Sequence, residues 1–182
     1  MAASAEADPE KTLPIKETEA VARAVGIAAV KYFDLSHSLG GDYVFSWEAM
    51  LAMEGNTGPY MLYAYARIRS IARKAGVDLD SLEAPKLPVL AHLSEQALAK
   101  VALGFSDVVA DVAANLKPNL LTDYLYNLAK VFNTFYDRKT GVKVLDKSDP
   151  DVFASRLMLC QMTARALKLG LSLLGINVVE QM

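Results

Sequence analysis

The chain has 182 residues, 53% of them hydrophobic and 22% charged, with a formal net charge of -2. That is enough apolar material for one globular domain with a short appended segment, and it excludes a chain disordered throughout. The strong positive charge of a protein that coats DNA is absent, but a near-neutral sum still allows a local basic patch for a structured RNA.

Met1–Lys16 (residues 1–16) is rich in Ala, Glu and Pro and lacks an apolar run. It is expected to be a disordered tail, neither a secretory leader nor a transit peptide. Val21, Val25, Ala28, Tyr32 and Leu35 then recur at alternating spacings of four and three, the stripe of an amphipathic helix. Leu39–Gly40–Gly41–Asp42 breaks it. Tyr43–Val44–Phe45 is β-prone but too short to define a sheet, and Ser46 is placed to cap a short helix through Met53. Gly55–Asn56–Thr57–Gly58–Pro59 predicts a turn, with Pro59 at the first position of the next helix. That helix puts Met61, Ala64, Ile68, Ile71 and Ala75 on one side and ends at Gly76. Residues 17–77 therefore form a helical segment, and residues 78–88, with Pro85 and Pro88, predict a linker to a bundle over 89–182.

Within the bundle, Ser94 is expected to cap a helix to Leu103, Gly104 to interrupt it, and a second short helix to run through Leu116. Pro118 starts a long helix with Leu121, Leu125, Leu128, Phe132 and Phe135 on its stripe. Arg138–Ser148 predicts a polar loop around Gly141. Asp149–Pro150 is a strong helix start, followed by Phe153, Leu157, Cys160, Ala164, Leu167, Leu171 and Leu174, with Gly175 as the stop. No pair of runs has the length and turn chemistry of a sheet, so the predicted fold is an all-α helical bundle. No apolar run reaches the roughly 18 residues of a membrane span. With a single cysteine, Cys160, there is no intrachain disulfide, and a cytoplasmic protein is expected.

The inventory for catalysis is thin. His37 and His92 lie in separate segments without ligand partners at metal spacing, and Gly40–Gly41 follows a helix rather than the strand a phosphate loop needs. The acidic residues fall at polar helix positions or in loops. Cys160 lies on the longest apolar stripe, which predicts a core thiol rather than a nucleophile. No catalytic residue, metal or cofactor is expected on this chain, so a binding module is favoured over an enzyme built on the bundle.

On the helix after Pro59, Tyr63, Arg67, Ser70 and Lys74 share a face away from the apolar stripe, with Arg69 and Arg73 beside it. Four cations within eight residues, preceded by tyrosines, suit phosphate contacts plus a platform for a base. The plain alternative is a solvated helix face. Tyr136 falls just off its stripe at a helix end, as a half-buried aromatic. Arg165 and Lys168 lie one turn apart on the polar side of the last helix, placed either to hold phosphates or to complement the helix dipole.

Two blocks carry a more specific signal. The first is Asp42–Tyr43–Val44–Phe45–Ser46–Trp47–Glu48 through Gly55–Asn56–Thr57–Gly58–Pro59–Tyr60 and Tyr63–Ala64–Tyr65–Ala66–Arg67–Ile68–Arg69–Ser70–Ile71. The second is Asp123–Tyr124–Leu125–Tyr126–Asn127–Leu128–Ala129 with Phe132–Asn133–Thr134–Phe135–Tyr136–Asp137, joined by Arg156–Leu157–Met158–Leu159–Cys160, Thr163–Ala164–Arg165 and Gly170–Leu171–Ser172–Leu173–Leu174–Gly175–Ile176. From about Ile27 to Met182 the chain resembles the C-terminal, DALR-type anticodon-binding region of the arginyl-tRNA synthetase family. Gly58 stands where that family usually has alanine, and Leu62 where it usually has glutamine. The family's two ATP signatures, a His-x-Gly-His motif and a Lys-Met-Ser-Lys type loop, are absent.

The resemblance implies a tRNA-Arg anticodon-binding domain without the catalytic ATP-binding domain, which would be its partner and would hold ATP and arginine. It implies that Tyr136 stacks on a splayed anticodon base and that Met182 closes the pocket. Together with Tyr63, Arg67, Arg69, Arg73, Lys74, Arg165 and Lys168, these are the candidate RNA-binding residues. Neither DNA nor a membrane is an expected partner. A stand-alone RNA-binding or scaffold protein derived from the family is the alternative.

Overall fold

A computed structural model describes residues 15–182 of the chain. The expected tail lies outside the described residues, except for Ile15 and Lys16, which open the first helix. In order come α1 (Ile15–Leu35), α2 (Trp47–Leu51), α3 (Gly58–Ala75), α4 (Leu93–Leu103), α5 (Phe105–Asn115), α6 (Asn119–Tyr136), a single 3-10 turn (Arg138–Thr140) and α7 (Pro150–Leu173). Among the described residues there is no strand. Tyr43–Val44–Phe45 is irregular and exposed, with no neighbouring strand against which β-prone side chains pack.

The stripes of α3, α6 and α7 form the core, while of the α1 stripe only Ala28 and Tyr32 are buried. Leu121, Leu125, Leu128, Phe132 and Phe135 of α6 are all buried, as are Met61, Ala64, Ile68, Ile71 and Ala75 of α3. From Leu157 to Leu174, the α7 stripe is buried too, and only Phe153 at its start stays partly open. Burying each of these larger side chains contributes about 1.5–3 kcal/mol. α6 is the central helix: α1, α3, α4, α5 and α7 all pack against it, while α3 also packs against α1 and α7.

Several helix ends follow local rules. Ser46 Oγ accepts from Ala49 N (3.3 Å), and Asp149 Oδ1 accepts from the backbone N–H groups of Asp151 and Val152. Thr57 caps α3 by accepting from Tyr60 N, so Pro59 takes the second helical position rather than the first. Gly76 and Gly175 end α3 and α7 with φ of 75° and 69°, where a side chain on Cβ is disfavoured. At α4 the cap is His92, not Ser94. His92 Nδ1 accepts from Ser94 N (3.1 Å), and Glu95 Oε2 accepts from His92 N (2.9 Å), a reciprocal capping box. Ser94 is buried inside the first turn, and an imidazole takes a role usually filled by hydroxyl or carboxamide groups.

Two segments that look like plain connections are anchored. In the 78–88 segment Leu79 is buried, and Gln161 Nε2 of α7 donates to the carbonyls of Leu79 (2.6 Å) and Leu82 (2.8 Å). The loop after α6 is less polar than expected. Val142 and Val144 alternate with Lys143 and point inward, both buried. Arg156 Nη1 of α7 donates to the Lys143 carbonyl (3.0 Å), and its Nε pairs with the fully buried Glu95 (2.7 Å).

α1 meets α3 at Gly58. A Cβ built there falls 2.4 Å from the Ala28 carbonyl oxygen, which is backbone and cannot swing away. Gly58→Ala is therefore expected to lower stability by about 1–3 kcal/mol through overpacking. Chemical denaturation would show it as a lower midpoint with an unchanged slope, and an unchanged midpoint would mean that α1 shifts freely on α3. Nearby, the buried Tyr32 hydroxyl donates to the Thr122 carbonyl (2.8 Å) and sits 2.7 Å from Asn56 Oδ1. Burial first, then the Asp123 charge, push its ionisation well above the ordinary phenol range. Tyr32 thus ties α1 and the turn before α3 to α6.

Candidate nucleic-acid interface

The polar face of α3 is left open by this packing, and α6 ends beside it. Arg67 is the meeting point. Its guanidinium lies 5.9 Å from the Tyr63 ring centroid and 5.3 Å from that of Tyr136, within cation–π range of both. Arg67 Nη1 also donates to Asn133 Oδ1 (3.2 Å), and Asn133 Nδ2 donates to the Tyr60 hydroxyl (2.6 Å). Tyr136 lies nearly parallel to Phe132, at 6° and 6.2 Å between centroids. The buried Phe132 therefore supports the Tyr136 ring from the core side of α6.

Around this centre runs an open groove of about 1280 Å³ between α3, the end of α6 and the loop that follows. Arg67, Lys74, Arg138, Lys139 and Lys143 face it, against two carboxylates, Asp137 and Asp146. Both carboxylates are engaged locally: Asp137 Oδ1 accepts from Lys139 N (2.9 Å) and Asp146 Oδ1 from Ser148 N (3.0 Å). The bond from the Ser148 backbone holds the Asp146 carboxyl below its usual range. A second hollow, about 650 Å³, adjoins the first across Arg67, Ser70 and Lys74 and is bounded by Tyr63, Arg73, Gln181 and Met182.

Of the residues singled out in the sequence, Tyr63, Arg67, Arg73, Lys74, Tyr136 and Met182 come together here. Arg69 does not face the groove. Its Nε pairs with Glu180 Oε2 (2.6 Å) and its Nη1 with Asp80 Oδ2 (3.0 Å), so its charge is paired within the protein's own surface. Glu180 is distant in sequence and Asp80 lies beyond the end of α3, which is why the helix pattern alone could not separate Arg69 from its neighbours. Arg165 and Lys168 line a different, shallow site with Tyr65, Leu79, Asp80 and Gln161, where Arg165 Nη2 approaches the Asp80 carbonyl (3.4 Å). The groove also holds residues that sequence reasoning passed over. Arg138, Lys139 and Lys143 place three cations in six residues just after Tyr136, a signal that reads as a plain polar loop until the fold sets it beside α3.

A surface of this kind has two capacities. Cations on a groove rim attract a phosphate backbone without regard to sequence. Tyrosine rings with a guanidinium between them offer a π surface to an unpaired base. Among the described residues no three His, Cys, Asp or Glu groups stand close enough to share a metal ion. Cys160 is buried as its stripe position predicts, and burial pushes its thiol up to about 12. Among the described residues no helix is long and apolar enough to cross a membrane.

The family model for the DALR anticodon binding domain matches residues 61–182, which take in nearly all of α3, everything after it, and both hollows. The chain belongs to the DALR anticodon-binding domain family. A second model, the class I (R) tRNA synthetase catalytic domain, matches residues 1–47, so it ends at the first residue of α2 and the DALR match begins inside α3. The chain is 50% identical to an arginine–tRNA ligase of Nostoc sp. over 98% of its length, and 55% identical to that of Synechocystis sp. over 89%. It spans 31% and 27% of those two relatives. Its fold matches the Thermus thermophilus arginyl-tRNA synthetase at a TM-score of 0.79 and 34% identity, covering 90% of this chain and 28% of that one. The Plasmodium falciparum arginyl-tRNA synthetase matches at 0.76 and 32%, with the same coverage. The DALR region thus lies on a fold shared with solved synthetases, and its concave basic face is the candidate RNA surface.

Proposed function

We propose that this DALR domain binds the anticodon arm of tRNA-Arg in the groove between α3, the end of α6 and the following loop. Its role in an arginine–tRNA ligase is binding and selection, not bond making. One observation carries the proposal: Arg67 sits between the Tyr63 and Tyr136 rings at the centre of a groove rimmed by Lys74, Arg138, Lys139 and Lys143. Unpaired anticodon bases need a stacking surface, and the flanking phosphates need cations. Arg73 and Met182, at the adjoining hollow, extend the same surface. The partner is the remainder of the class I catalytic domain, beyond the part matched by residues 1–47, and it would hold ATP and arginine. The reading assigns the domain to the cytoplasm and to RNA rather than DNA.

The test is binding of the chain to tRNA-Arg beside the same tRNA carrying another anticodon, over a salt series. The expected result is a preference for the arginine anticodon, riding on an affinity that falls steeply with salt. Equal binding of both tRNAs at every salt concentration would support a general RNA-binding module instead.

A further inference from the structure

After α7 the chain runs from Leu174 to Met182 across α3. Ile176 is buried, and Val178 and Val179 are half-buried against the core. Past them a single residue ties the segment down. Tyr65 Oη donates to Glu180 Oε1 (3.0 Å), Arg69 Nε donates to Glu180 Oε2 (2.6 Å), and Arg73 Nη1 donates to the Glu180 carbonyl (3.2 Å). Tyr65, Arg69 and Arg73 follow one another at a spacing of four, one side chain per turn along the same face of α3. Burial, and then the bond to Glu180, push the Tyr65 phenol up to about 12, so it stays a donor throughout the neutral range. Immediately beyond this clasp, Gln181 and Met182 border the hollow shared with Tyr63, Arg67 and Lys74.

Resting on the anticodon-binding reading, we propose that Glu180 is a positioning residue for RNA selection: seated on Tyr65, Arg69 and Arg73, it fixes Gln181 and Met182 over the tyrosine–arginine surface. Without the clasp the last two residues lose their place, and Met182 no longer meets the base lying there. The sign of the effect separates this role from plain charge. Glu180 is a carboxylate near a surface that binds a polyanion, and its side chain occupies Arg69, while the bond from Arg73 goes to its backbone carbonyl and survives substitution. On charge alone, its removal should tighten binding of every tRNA.

The experiment measures binding of the full chain and its Glu180→Ala and Glu180→Gln variants to tRNA-Arg and to the same tRNA with another anticodon, with the melting temperature of each protein. Glu180→Ala is expected to reduce the preference for the arginine anticodon by about two- to tenfold, the range of a lost sulfur–ring contact. Binding of the other tRNA should hold or tighten. Glu180→Gln keeps the shape and one acceptor oxygen, so it should lose less preference, and it carries the test if Glu180→Ala does not fold. Asp80→Asn, which frees Arg69 from its other partner only, should keep the full preference. Tighter binding of both tRNAs with the preference intact would make Glu180 a mere charge and overturn the proposal. Equal weakening of both, with a lower melting temperature, would leave it a fold residue and overturn it as well. If the unaltered chain itself shows no anticodon preference, the anticodon-binding reading and this one fall together. If the preference is present and survives in Glu180→Ala, this one falls alone.

Discussion

Arg156→Met is expected to lower the stability of the domain by about 3–5 kcal/mol, the usual result of breaking a buried ion pair from one side. Glu95 has no solvent exposure, and its two oxygens are met by Arg156 Nε (2.7 Å) and His92 N (2.9 Å). Methionine fills much of the arginine volume but leaves the carboxylate with one partner, so the penalty is electrostatic rather than a cavity. A loss of this size is a large fraction of the roughly 5–15 kcal/mol that holds a domain of ordinary size together. Urea or thermal unfolding measures it. The double variant Glu95→Gln with Arg156→Met should recover a good part of the loss, because no buried charge is then left alone. A single-variant loss below about 1 kcal/mol, typical of an exposed pair, would show that the site opens to water. Arg156 also holds the Lys143 carbonyl, so the same substitution should loosen the loop that carries Arg138, Lys139 and Lys143 into the groove.

Tyr136→Ala is expected to weaken binding of tRNA-Arg by roughly 5- to 150-fold, from the loss of about 1–3 kcal/mol when a base-stacking ring is removed. The loss should be concentrated on the tRNA with the arginine anticodon. Tyr136 also packs on Phe132, so some fall in melting temperature belongs to the same substitution. Binding and melting must therefore be read on one protein. A Tyr136→Ala chain that melts early but, while folded, binds tRNA-Arg as tightly as the parent would leave Tyr136 a packing residue. Arg67→Ala is the companion variant. If Arg67 meets phosphate, its loss should weaken both tRNAs alike and make the salt dependence shallower. If it acts chiefly through the two rings, the defect should follow the anticodon instead.

Much of the molecule was legible because helices are local. A spacing of four and three is a property of one segment, and in α3 and α6 every residue on the stripe is buried. Asp149 before Pro150, Gly76 and Gly175 act within a turn of their own position, so they too were readable without the fold. The two failures of local reading have local causes as well. His92 took the α4 cap because Glu95 stood three residues on to complete the box, and Val142 and Val144 hid an inward alternation inside a charged loop.

The site divides along the same line. The sequence by itself determined that α3 presents cations and tyrosines on a face apart from its core stripe, that Tyr136 closes α6, and that the wording of both helices is that of the DALR region. Only the tertiary structure decided which of those cations remain open. Arg67 faces the groove because α6 ends beside it and brings Tyr136 and Asn133 within reach. Arg69, two residues on, turns about 200° around the helix and meets Asp80 and Glu180, which neutralise it. Arg165 and Lys168, equally basic in the sequence, line a separate shallow site with Asp80 that shares no residue with the groove. The reason is physical: helical pattern assigns a residue to a face of its own helix, but a charge becomes free or paired according to groups that arrive from distant parts of the chain, and those meet only when the core closes.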